Sequence, residues 1–334
     1  MTVTIKDLSK KTGYTIATIS RALNDSPLVK DKTKKEILDA AEEIGYVRND
    51  IARGLVKKNS STFGVIVPDI TNPYFPLLVK GIQDALLKEG YHIFLCNSDW
   101  DEENEKRLIN MLCESRVKGI LMDPISDHVP QILSQIGFPV PVVYLGNRPS
   151  DENANYVIID NYKGARKATE YLIELGHERI AFIGAEENTF INRSRSNGYR
   201  DTMIKSFGGL DESLVRKSKY KRENANQVIR EMIEEGNVPT AVVACNDIIA
   251  LGVMEAFQSS SFRVPEDVSV IGFDDIEYAS LPGINLTTVR EPRYQMGTMA
   301  TEIILECIKD RNTKRQIIIE PELILRKTCT RRVS

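Results

Sequence analysis

Residues 4–23, TIKDLSKKTGYTIATISRAL, contain two short amphipathic segments separated by a glycine. Thr4 followed by Asp7 is a variant of the capping box that begins a helix, and Thr15 supplies a second N-cap. In each segment the apolar side chains recur at spacings of three or four residues, so each predicted helix has one inward face. Two short helices joined by a turn that contains Gly13 form a helix-turn-helix unit.

A third helix is predicted at about 31–45, directly after this unit. Its inward face consists of Ile37, Ala41 and Ile44, and Gly45 is the predicted C-cap. Residues 1–58 carry 12 Lys and Arg against 8 Asp and Glu, whereas the whole chain has a net charge of −3. A basic segment followed by an acidic remainder suits phosphate binding by the basic segment alone.

From Thr62 onward, apolar runs alternate with amphipathic segments. Strands are predicted at FGVIVPD, YHIFLCN, VKGILMD, VPVVYLG, YVIID, RIAFIG, TAVVAC and DVSVIGF, and helices near 74–89, 101–115 and 127–136. This alternation predicts an α/β fold of doubly wound parallel sheets, and about ten units in about 270 residues fit two lobes better than one.

Polar residues follow several of these strands. Ligands of open parallel sheets bind beyond the carboxyl ends of the strands. The side chains at those positions are Asp69, Asn246, Asp247, Asp274 and Asp275. Carboxylates and amides there either bind sugar hydroxyls or cap helices, and the sequence leaves both roles open for Asn246 and Asp247.

Several other classes of protein are disfavoured by the sequence. No run approaches the roughly 20 apolar residues that span a bilayer, and the N-terminus is polar where a signal peptide is apolar. We therefore expect a cytoplasmic protein without a membrane partner. The five cysteines form no C-x-x-C pair and the three histidines share no ligand spacing. Because the common nucleotide-binding and hydrolase motifs are also missing, we expect no cofactor, no metal and no enzymatic activity.

Two segments, VTIKDLSKKTGYTIATISRALN (3–24) and GYVRNDIARGLVKKNSSTFGVIVPDITNPYF (45–75), resemble the lactose-repressor family of bacterial transcription regulators. The likeness continues through IDNYKGARKATEYLIELGHERIAFIG, PTAVVACNDIIALGVMEAF, RVPEDVSVIGFDD and LTTVREPRYQMG, which follow the family's order. Each motif alone is weak, but together they cover the whole chain and are highly specific.

The resemblance implies three parts: a small all-α helix-turn-helix domain at 1–48, a hinge helix at 49–60, and an effector-binding and dimerisation domain at 61–334. It also implies that this last domain resembles the periplasmic sugar-binding proteins. Its N-terminal lobe would be about 61–160 plus 291–319, and its C-terminal lobe about 161–290 plus 320–334.

The resemblance also implies that the second helix enters the major groove of double-stranded operator DNA. Its base contacts would be Ile16, Ala17 and Arg21. A guanidinium can hold guanine O6 and N7 bidentately, whereas the two apolar residues can contact a thymine methyl group. Short polar side chains suit phosphate oxygens, which position the protein without reading sequence. The residues predicted for this role are Thr4, Thr15, Thr18, Ser20 and Asn24.

The segment NDIARGLVKK can form one short helix, which is marginal in isolation. The resemblance implies that the hinge helices of a homodimer pair in the minor groove of a pseudo-palindromic operator, where Leu55 wedges between base steps. Asn49 and Arg53 are further predicted DNA contacts. Many family members carry a proline where this chain has Arg48, so the entry to the hinge is less rigid here. The sequence shows no leucine-heptad tail, so we expect a dimer rather than a tetramer.

For the effector, the resemblance implies a site formed by Tyr74, Phe75, Arg195, Tyr220, Asn246 and Asp274. The two tyrosines can stack on a sugar ring, whereas Arg193, Arg195, Lys219 and Lys221 can meet an anionic group. We therefore expect a sugar, a sugar acid or a sugar phosphate. The predicted function is repression of genes for carbohydrate uptake or catabolism. The alternative is a sugar-binding protein or sugar-metabolising enzyme without DNA binding. A co-regulator protein, and the choice between inducer and corepressor, stay open.

Overall fold

The computed structural model describes residues 3–46, 61–126, 128–136, 140–149, 151–185 and 189–332. The chain divides into two units, Met1–Ser60 and Ser61–Ser334. Within the described ranges, no helix is both long enough and apolar enough to cross a membrane.

The helices of the first unit begin at capping residues. They are α1 (Ile5–Thr12), α2 (Ile16–Leu23) and α3 (Asp31–Glu43). The backbone N–H and the hydroxyl of Thr4 both donate to the Asp7 carboxylate, at 2.9 and 2.7 Å. The Thr15 hydroxyl accepts from the Thr18 N–H at 3.2 Å. Both predicted helix starts are therefore confirmed.

Helix α3 ends two residues before the predicted position because of the geometry at Gly45. This glycine adopts a left-handed φ of 64°, and the N–H of Tyr46 donates to the carbonyl of Ala41 at 2.8 Å. These features form a Schellman motif, which satisfies carbonyls that the helix end leaves open. Leu8, Ile19 and Ile37 are fully buried and form the centre of this small core. The predicted hinge contacts Asn49, Arg53 and Leu55 lie outside the described residues.

In the second unit strands and helices alternate as the sequence predicts. Its helices are α4 (Tyr74–Lys88), α5 (Glu102–Glu114), α6 (Val129–Ile136), α7 (Asn161–Glu174), α8 (Phe190–Phe207), α9 (Arg222–Glu234), α10 (Asp247–Ser259) and α11 (Arg293–Lys309). Its strands are β1 (Thr62–Val67), β2 (His92–Asn97), β3 (Ile120–Met122), β4 (Val142–Leu145), β5 (Asn155–Ile159), β6 (Ile180–Ala185), β7 (Val215–Ser218), β8 (Ala241–Ala244), β9 (Ser269–Asp274), β10 (Thr287–Arg290), β11 (Gln316–Ile319) and β12 (Glu322–Ile324).

These strands form two six-stranded sheets. The first has the order β11-β5-β4-β3-β1-β2 and is parallel throughout, and the second has the order β12-β10-β9-β8-β6-β7. Only the β10–β12 pair among these ladders is antiparallel. The predicted fold class, a small all-α region followed by two parallel-sheet lobes, is confirmed. We call the lobe of the first sheet lobe 1 and that of the second lobe 2.

The sequence analysis did not identify four of these strands: β7, β10, β11 and β12. Their sequences, VRKS, TTVR, QIII and ELI, are only three or four residues long. Each of these runs contains a polar or charged residue, whereas the equally short β3, β4 and β8 consist of apolar residues. Pairing with a long neighbouring strand, rather than local pattern, therefore defines these elements.

The chain crosses between the lobes after β5, after β10 and after β11. Helix α11, which follows the second crossing, packs against α4 of lobe 1 at very close range. A Cβ added at Gly81 would lie 2.2 Å from the carbonyl oxygen of Tyr294, and one added at Gly297 would lie 2.3 Å from that of Leu78. The two helices can approach this closely only because both positions are glycine.

Candidate functional site

The outer face of α2 is available to a ligand. Ile19 and Ala22 are buried on the inner face, whereas Ile16, Ala17 and Arg21 are exposed. Ile16 retains 44% of its surface, which is unusual for an isoleucine in a small core-forming helix. The side chains predicted to contact base edges therefore lie together on one exposed face.

The predicted phosphate contacts are partly engaged within the helical unit. The Thr15 and Thr18 hydroxyls lie 2.9 Å apart, and the Asn24 amide donates to the carbonyl of Ser20 at 2.6 Å. The Thr4 hydroxyl donates to Asp7, so a phosphate contact from Thr4 requires this hydroxyl to rotate. Ser20 is exposed on α2.

A small cavity lies between the two lobes of the second unit. Its volume is about 40 Å³, and its lining consists of Asn72, Tyr74, Phe75, Trp100, Asp123, Asn147, Ile191, Arg195, Tyr220, Asn246, Asp274 and Glu291. We call it the inner cavity. All six residues predicted for effector binding line it. The lining residues follow the carboxyl ends of strands in both sheets, where ligands of parallel sheets bind.

Arg195 is the central cation of the inner cavity and is 3% exposed. Its Nε donates to Asn161 at 2.7 Å, and its Nη1 donates to the carbonyl of Cys245 at 2.5 Å. Its Nη1 also lies 3.3 Å from Asp274, and its Nη2 lies 2.5 Å from Glu291. Four acceptors of the protein thus surround the guanidinium.

The electrostatics of this group follow from burial and from the two carboxyls. Burial alone would lower the pKa of Arg195, but the carboxylates of Asp274 and Glu291 raise it above its ordinary value. Burial holds the pKa of Asp274 well above its ordinary range, although Arg195 acts in the opposite direction. One guanidinium between two carboxyl groups leaves a surplus of acceptors in the cavity.

Glu291 connects the two lobes at the second crossing. Its carboxylate accepts from the Tyr74 hydroxyl at 2.7 Å and also binds Arg195 of lobe 2. Burial raises the pKa of the Tyr74 hydroxyl well above its ordinary value, so the phenol stays a donor. The sequence analysis did not single out Glu291. Its place directly after β10 would have suggested it, had that short strand been predicted.

Asn147, which is held by Asp123 of the same lobe, forms a second contact between the lobes. The Asp123 carboxylate accepts from the backbone N–H and the side-chain amide of Asn147, at 3.0 and 2.9 Å. The side-chain amide oxygen (Oδ1) of Asn147 accepts in turn from the backbone N–H of Ile191 on α8 at 3.1 Å. Burial raises the pKa of Asp123 to about 7. Neither Asp123 nor Asn147 was proposed from the sequence.

Trp100 and Tyr220 face each other across the inner cavity as stacked rings. Trp100 follows β2 in lobe 1, and Tyr220 follows β7 in lobe 2. Tyr220 was predicted from the sequence, but Trp100 was not. As the chain's single tryptophan, placed just beyond a strand, Trp100 carried a signal that could have been used.

The sequence left two roles open for Asn246 and Asp247, sugar binding and helix capping, and the structure distinguishes the two residues. Asn246 caps α10 by accepting from the N–H of Ile249 at 2.9 Å, and it also lines the inner cavity. Asp247 is completely buried, where it accepts from the Thr288 hydroxyl at 2.6 Å and the Ile276 N–H at 2.8 Å. Asp247 is therefore a structural residue.

A larger cavity adjoins the inner one and shares Trp100 and Asn147 with it. Its volume is about 390 Å³, and its described lining is Trp100, Glu102, Pro124, Ile125, Ser126, His128, Asn147, Arg148, Thr189, Phe190 and Arg193. We call it the outer cavity. Of the basic residues considered for an anionic group, Arg193 lines this cavity, whereas Lys219 and Lys221 are exposed and line neither.

Comparison with known proteins gives two family matches. Residues 4–49 match the family described as "Bacterial regulatory proteins, lacI family", and residues 60–327 match "Periplasmic binding proteins and sugar binding domain of LacI family". The chain is 32% identical over 335 residues to the HTH-type transcriptional repressor PurR of Aliivibrio fischeri, which covers 99% of each chain.

Two solved structures are similar over nearly the whole chain. One is the lac repressor dimer bound to operator and the anti-inducer ONPF, with a TM-score of 0.88, 26% identity and coverage of 99% of this chain and 100% of that one. The other is the complex of the transcriptional regulator CelR with cellobiose, with a TM-score of 0.74, 29% identity and coverage of 98% and 99%. From these matches, the chain belongs to the lacI family of bacterial regulatory proteins.

Proposed function

We propose that this protein is a homodimeric transcriptional repressor whose affinity for a pseudo-palindromic operator is controlled by a small ligand in the cleft between the lobes. The observation that carries the DNA-binding part is the exposed face of α2, with Arg21, Ile16 and Ala17 side by side. An arginine flanked by apolar side chains on a short helix is suited to reading guanine and thymine edges in the major groove. Thr4, Thr15, Thr18, Ser20 and Asn24 are proposed to position the helix on the backbone.

The exposed edge of the first sheet is the surface that we propose binds a second copy of the chain. Strand β2 is an edge strand, and its Phe94 and Leu95 are 48% and 43% exposed. Leu87, at the end of the preceding helix, is 57% exposed. Exposed apolar side chains on an edge strand are an aggregation hazard unless another surface covers them. A symmetric dimer removes them from water and pairs two half-site readers.

The group proposed to occupy the inner cavity is the polyhydroxylated part of a ligand of the sugar class. Asp123, Asp274 and Glu291 supply acceptors for hydroxyl donors, and Trp100 and Tyr220 supply ring faces. An anionic group in the inner cavity would have to compete with the carboxyls of Asp274 and Glu291 for Arg195, which already donates to four acceptors. We therefore propose that any acidic group of the ligand lies outside this cavity.

Ligand binding in the inner cavity requires the lobes to separate, because about 40 Å³ holds little more than one water. Tyr74, Asn147 and Glu291 form contacts across the cleft that such a movement would break. A ligand can shift the operator-binding equilibrium only through different affinities for the open and closed forms. We infer a ligand-binding rather than a catalytic role for the cleft.

The proposal is tested by selecting operator sequences from random duplex DNA with the full-length chain. The affinity of Arg21→Ala for the selected site is then compared with that of the unaltered protein. A loss of about 1–3 kcal/mol at the selected site, with a smaller change on unrelated DNA, is the expected result. Lys35→Ala, which removes one exposed positive charge from α3, is the charge-matched control. Failure to enrich any sequence, or equal losses for both variants, would contradict the assignment.

A further inference from the structure

Arg148 is a partly buried arginine whose charge is not matched by any carboxylate in the described part of the chain. Its Nε is inaccessible to water and has no hydrogen-bond partner, and no ion pair of its guanidinium occurs among the described residues. Arg195 instead donates to Asn161, Cys245, Asp274 and Glu291. Removing a cation from water without a counterion is unfavourable. Arg148 therefore has unused capacity to bind an anion.

The position of Arg148 is fixed by aromatic rings from both lobes. Its guanidinium carbon lies 5.1 Å from the ring centroid of Tyr156 in β5 and 4.8 Å from that of Phe190 at the start of α8. Cation–π contacts of this kind orient a guanidinium without using its N–H donors. The fork of donors is thus held in place between the lobes, and its hydrogen-bonding capacity is preserved.

The outer cavity in which Arg148 lies is large enough for a ligand. Its volume of about 390 Å³ falls within the range of small-molecule sites, about 300–1,000 Å³. Ser126, Asn147 and Thr189 contribute polar groups to its wall. Glu102 and Arg193 are exposed at the same cavity, and Arg193 has an interaction of its own. Arg148 is accordingly the cation on which recognition depends.

We propose that the outer cavity is an oxyanion subsite, in which Arg148 binds a phosphate or carboxylate carried by the effector. The hydroxylated part of the same molecule occupies the inner cavity. The planar fork of a guanidinium matches both oxyanions bidentately, which an ammonium group cannot do. Trp100 and Asn147 line both cavities, so one ligand can extend from one to the other. This inference rests on one part of the proposed function, namely that the effector binds in the cleft between the lobes.

The two cavities therefore select for different chemistry. The inner cavity offers acceptors from three carboxyl groups and an arginine that is already paired. The outer cavity offers an arginine that forms no ion pair with any residue the structure describes. A sugar with an acidic group at one end satisfies both, whereas a neutral sugar leaves Arg148 unmatched. Because Arg148 contacts aromatic rings of both lobes, closure of the cleft should also change the affinity of Arg148 for an anion.

Trp100 provides the signal for the test, since it is the chain's only tryptophan and lines both cavities. The full-length protein is titrated with matched sets: glucose, glucose 6-phosphate and glucuronate, then cellobiose and its 6′-phosphate. Tryptophan emission and thermal stabilisation are both recorded. In at least one set an anionic member should bind about tenfold more tightly than the neutral one, as expected for a charge-assisted hydrogen-bond pair. The phosphate and uronate arms distinguish the two oxyanions.

Variants assign that preference to Arg148. Arg148→Gln should reduce the ratio of anionic to neutral affinity to about one, and Arg148→Lys should give an intermediate ratio. Lys219→Gln, which removes an exposed positive charge beside Tyr220, should keep the preference of the unaltered chain. The inference is overturned if no anionic member gives a signal, if neutral members bind as tightly in every set, or if the preference survives Arg148→Gln. Operator binding without ligand tests the proposed function separately.

Discussion

The indole ring of Trp100 and the phenol ring of Tyr220 stack across the cleft, with centroids 4.8 Å apart and planes inclined by 18°. Trp100 and the preceding Asp99 both adopt left-handed backbone conformations, with φ of 58° and 55°. Such conformations are uncommon for residues other than glycine and concentrate where a site requires them. The strained turn of lobe 1 thus presents its ring to lobe 2, and a ligand that opens the cleft must separate the pair.

Tyr220→Ala should shift the emission of Trp100 to longer wavelength, because the indole loses its stacking partner and becomes exposed to water. The loss of the aromatic pair should also lower the free energy of unfolding by about 0.5–1.5 kcal/mol beyond the lost burial. Emission spectra and urea titrations measure both effects. Tyr278→Ala, at an exposed tyrosine, is the matched control. Unchanged Trp100 emission in Tyr220→Ala would show that the rings do not stack in solution.

Arg195→Ala should lower the free energy of unfolding by about 3–5 kcal/mol, since the carboxyls of Asp274 and Glu291 would stay buried without their cation. Arg200→Ala breaks an exposed pair with Glu212 and should cost less than about 1 kcal/mol. Urea denaturation of the two variants gives the comparison. Similar losses of unfolding free energy in both variants would contradict the prediction, because the buried ion pairs of Arg195 would then contribute no more than an exposed pair.

Leu95→Asp should convert the dimer into a monomer, because it places a charge in the exposed apolar edge that we propose as the dimer contact. Operator affinity should fall with it, since two half-site readers are no longer linked. Analytical ultracentrifugation and operator titration measure the two effects. Leu325→Asp, at a leucine that is 57% exposed in lobe 2, is the control. A dimer that persists in Leu95→Asp places the interface elsewhere.

The pH dependence of stability should change in Asp123→Asn. Folding raises the pKa of Asp123 from 3.8 to about 7, so the folded state holds this proton more tightly than the unfolded chain. Its stabilising contribution is complete below the ordinary pKa and is lost as the pH rises towards about 7.

Asparagine keeps an acceptor for Asn147 and carries no charge. Asp123→Asn should therefore gain stability relative to the unaltered protein between about pH 4 and pH 8, by about 1.4 kcal/mol for each unit of the pKa shift. Unfolding at several pH values tests this, with the exposed Glu89→Gln as the control. A constant difference between variant and parent across this range would contradict the assignment.

The cleft shows which functional residues local sequence can reveal. Asn246 and Asp274 follow apolar runs that predict strands, so their place at strand ends was evident, whereas Tyr220 was indicated only by the family resemblance. Glu291 follows β10, a strand of four residues that owes its existence to β9 and β12 beside it. A strand defined by its neighbours leaves no periodic signal, so the residue that follows it could not be placed.

The sequence also could not predict which residues contact Arg195 and its partner Glu291. Glu291 accepts a hydrogen bond from Tyr74, which is 217 positions away in the chain, at a distance of 2.7 Å. The basic residues of the cleft therefore suggested an anionic ligand, whereas the folded chain surrounds Arg195 with carboxyls. The sequence does not predict a role for Arg148, because the unsatisfied Nε of its guanidinium depends on the surrounding described residues of the folded chain.

Sequence alone determined where the helices of the first unit begin, the alternation of strands and helices, and the exposed face of α2. Each of these depends on interactions within a few residues: caps, glycine conformations and the period of apolar side chains. Tertiary structure alone decided which charges in the cleft are matched and which are not. Electrostatic matching depends on groups far apart in the chain, and no local pattern contains them.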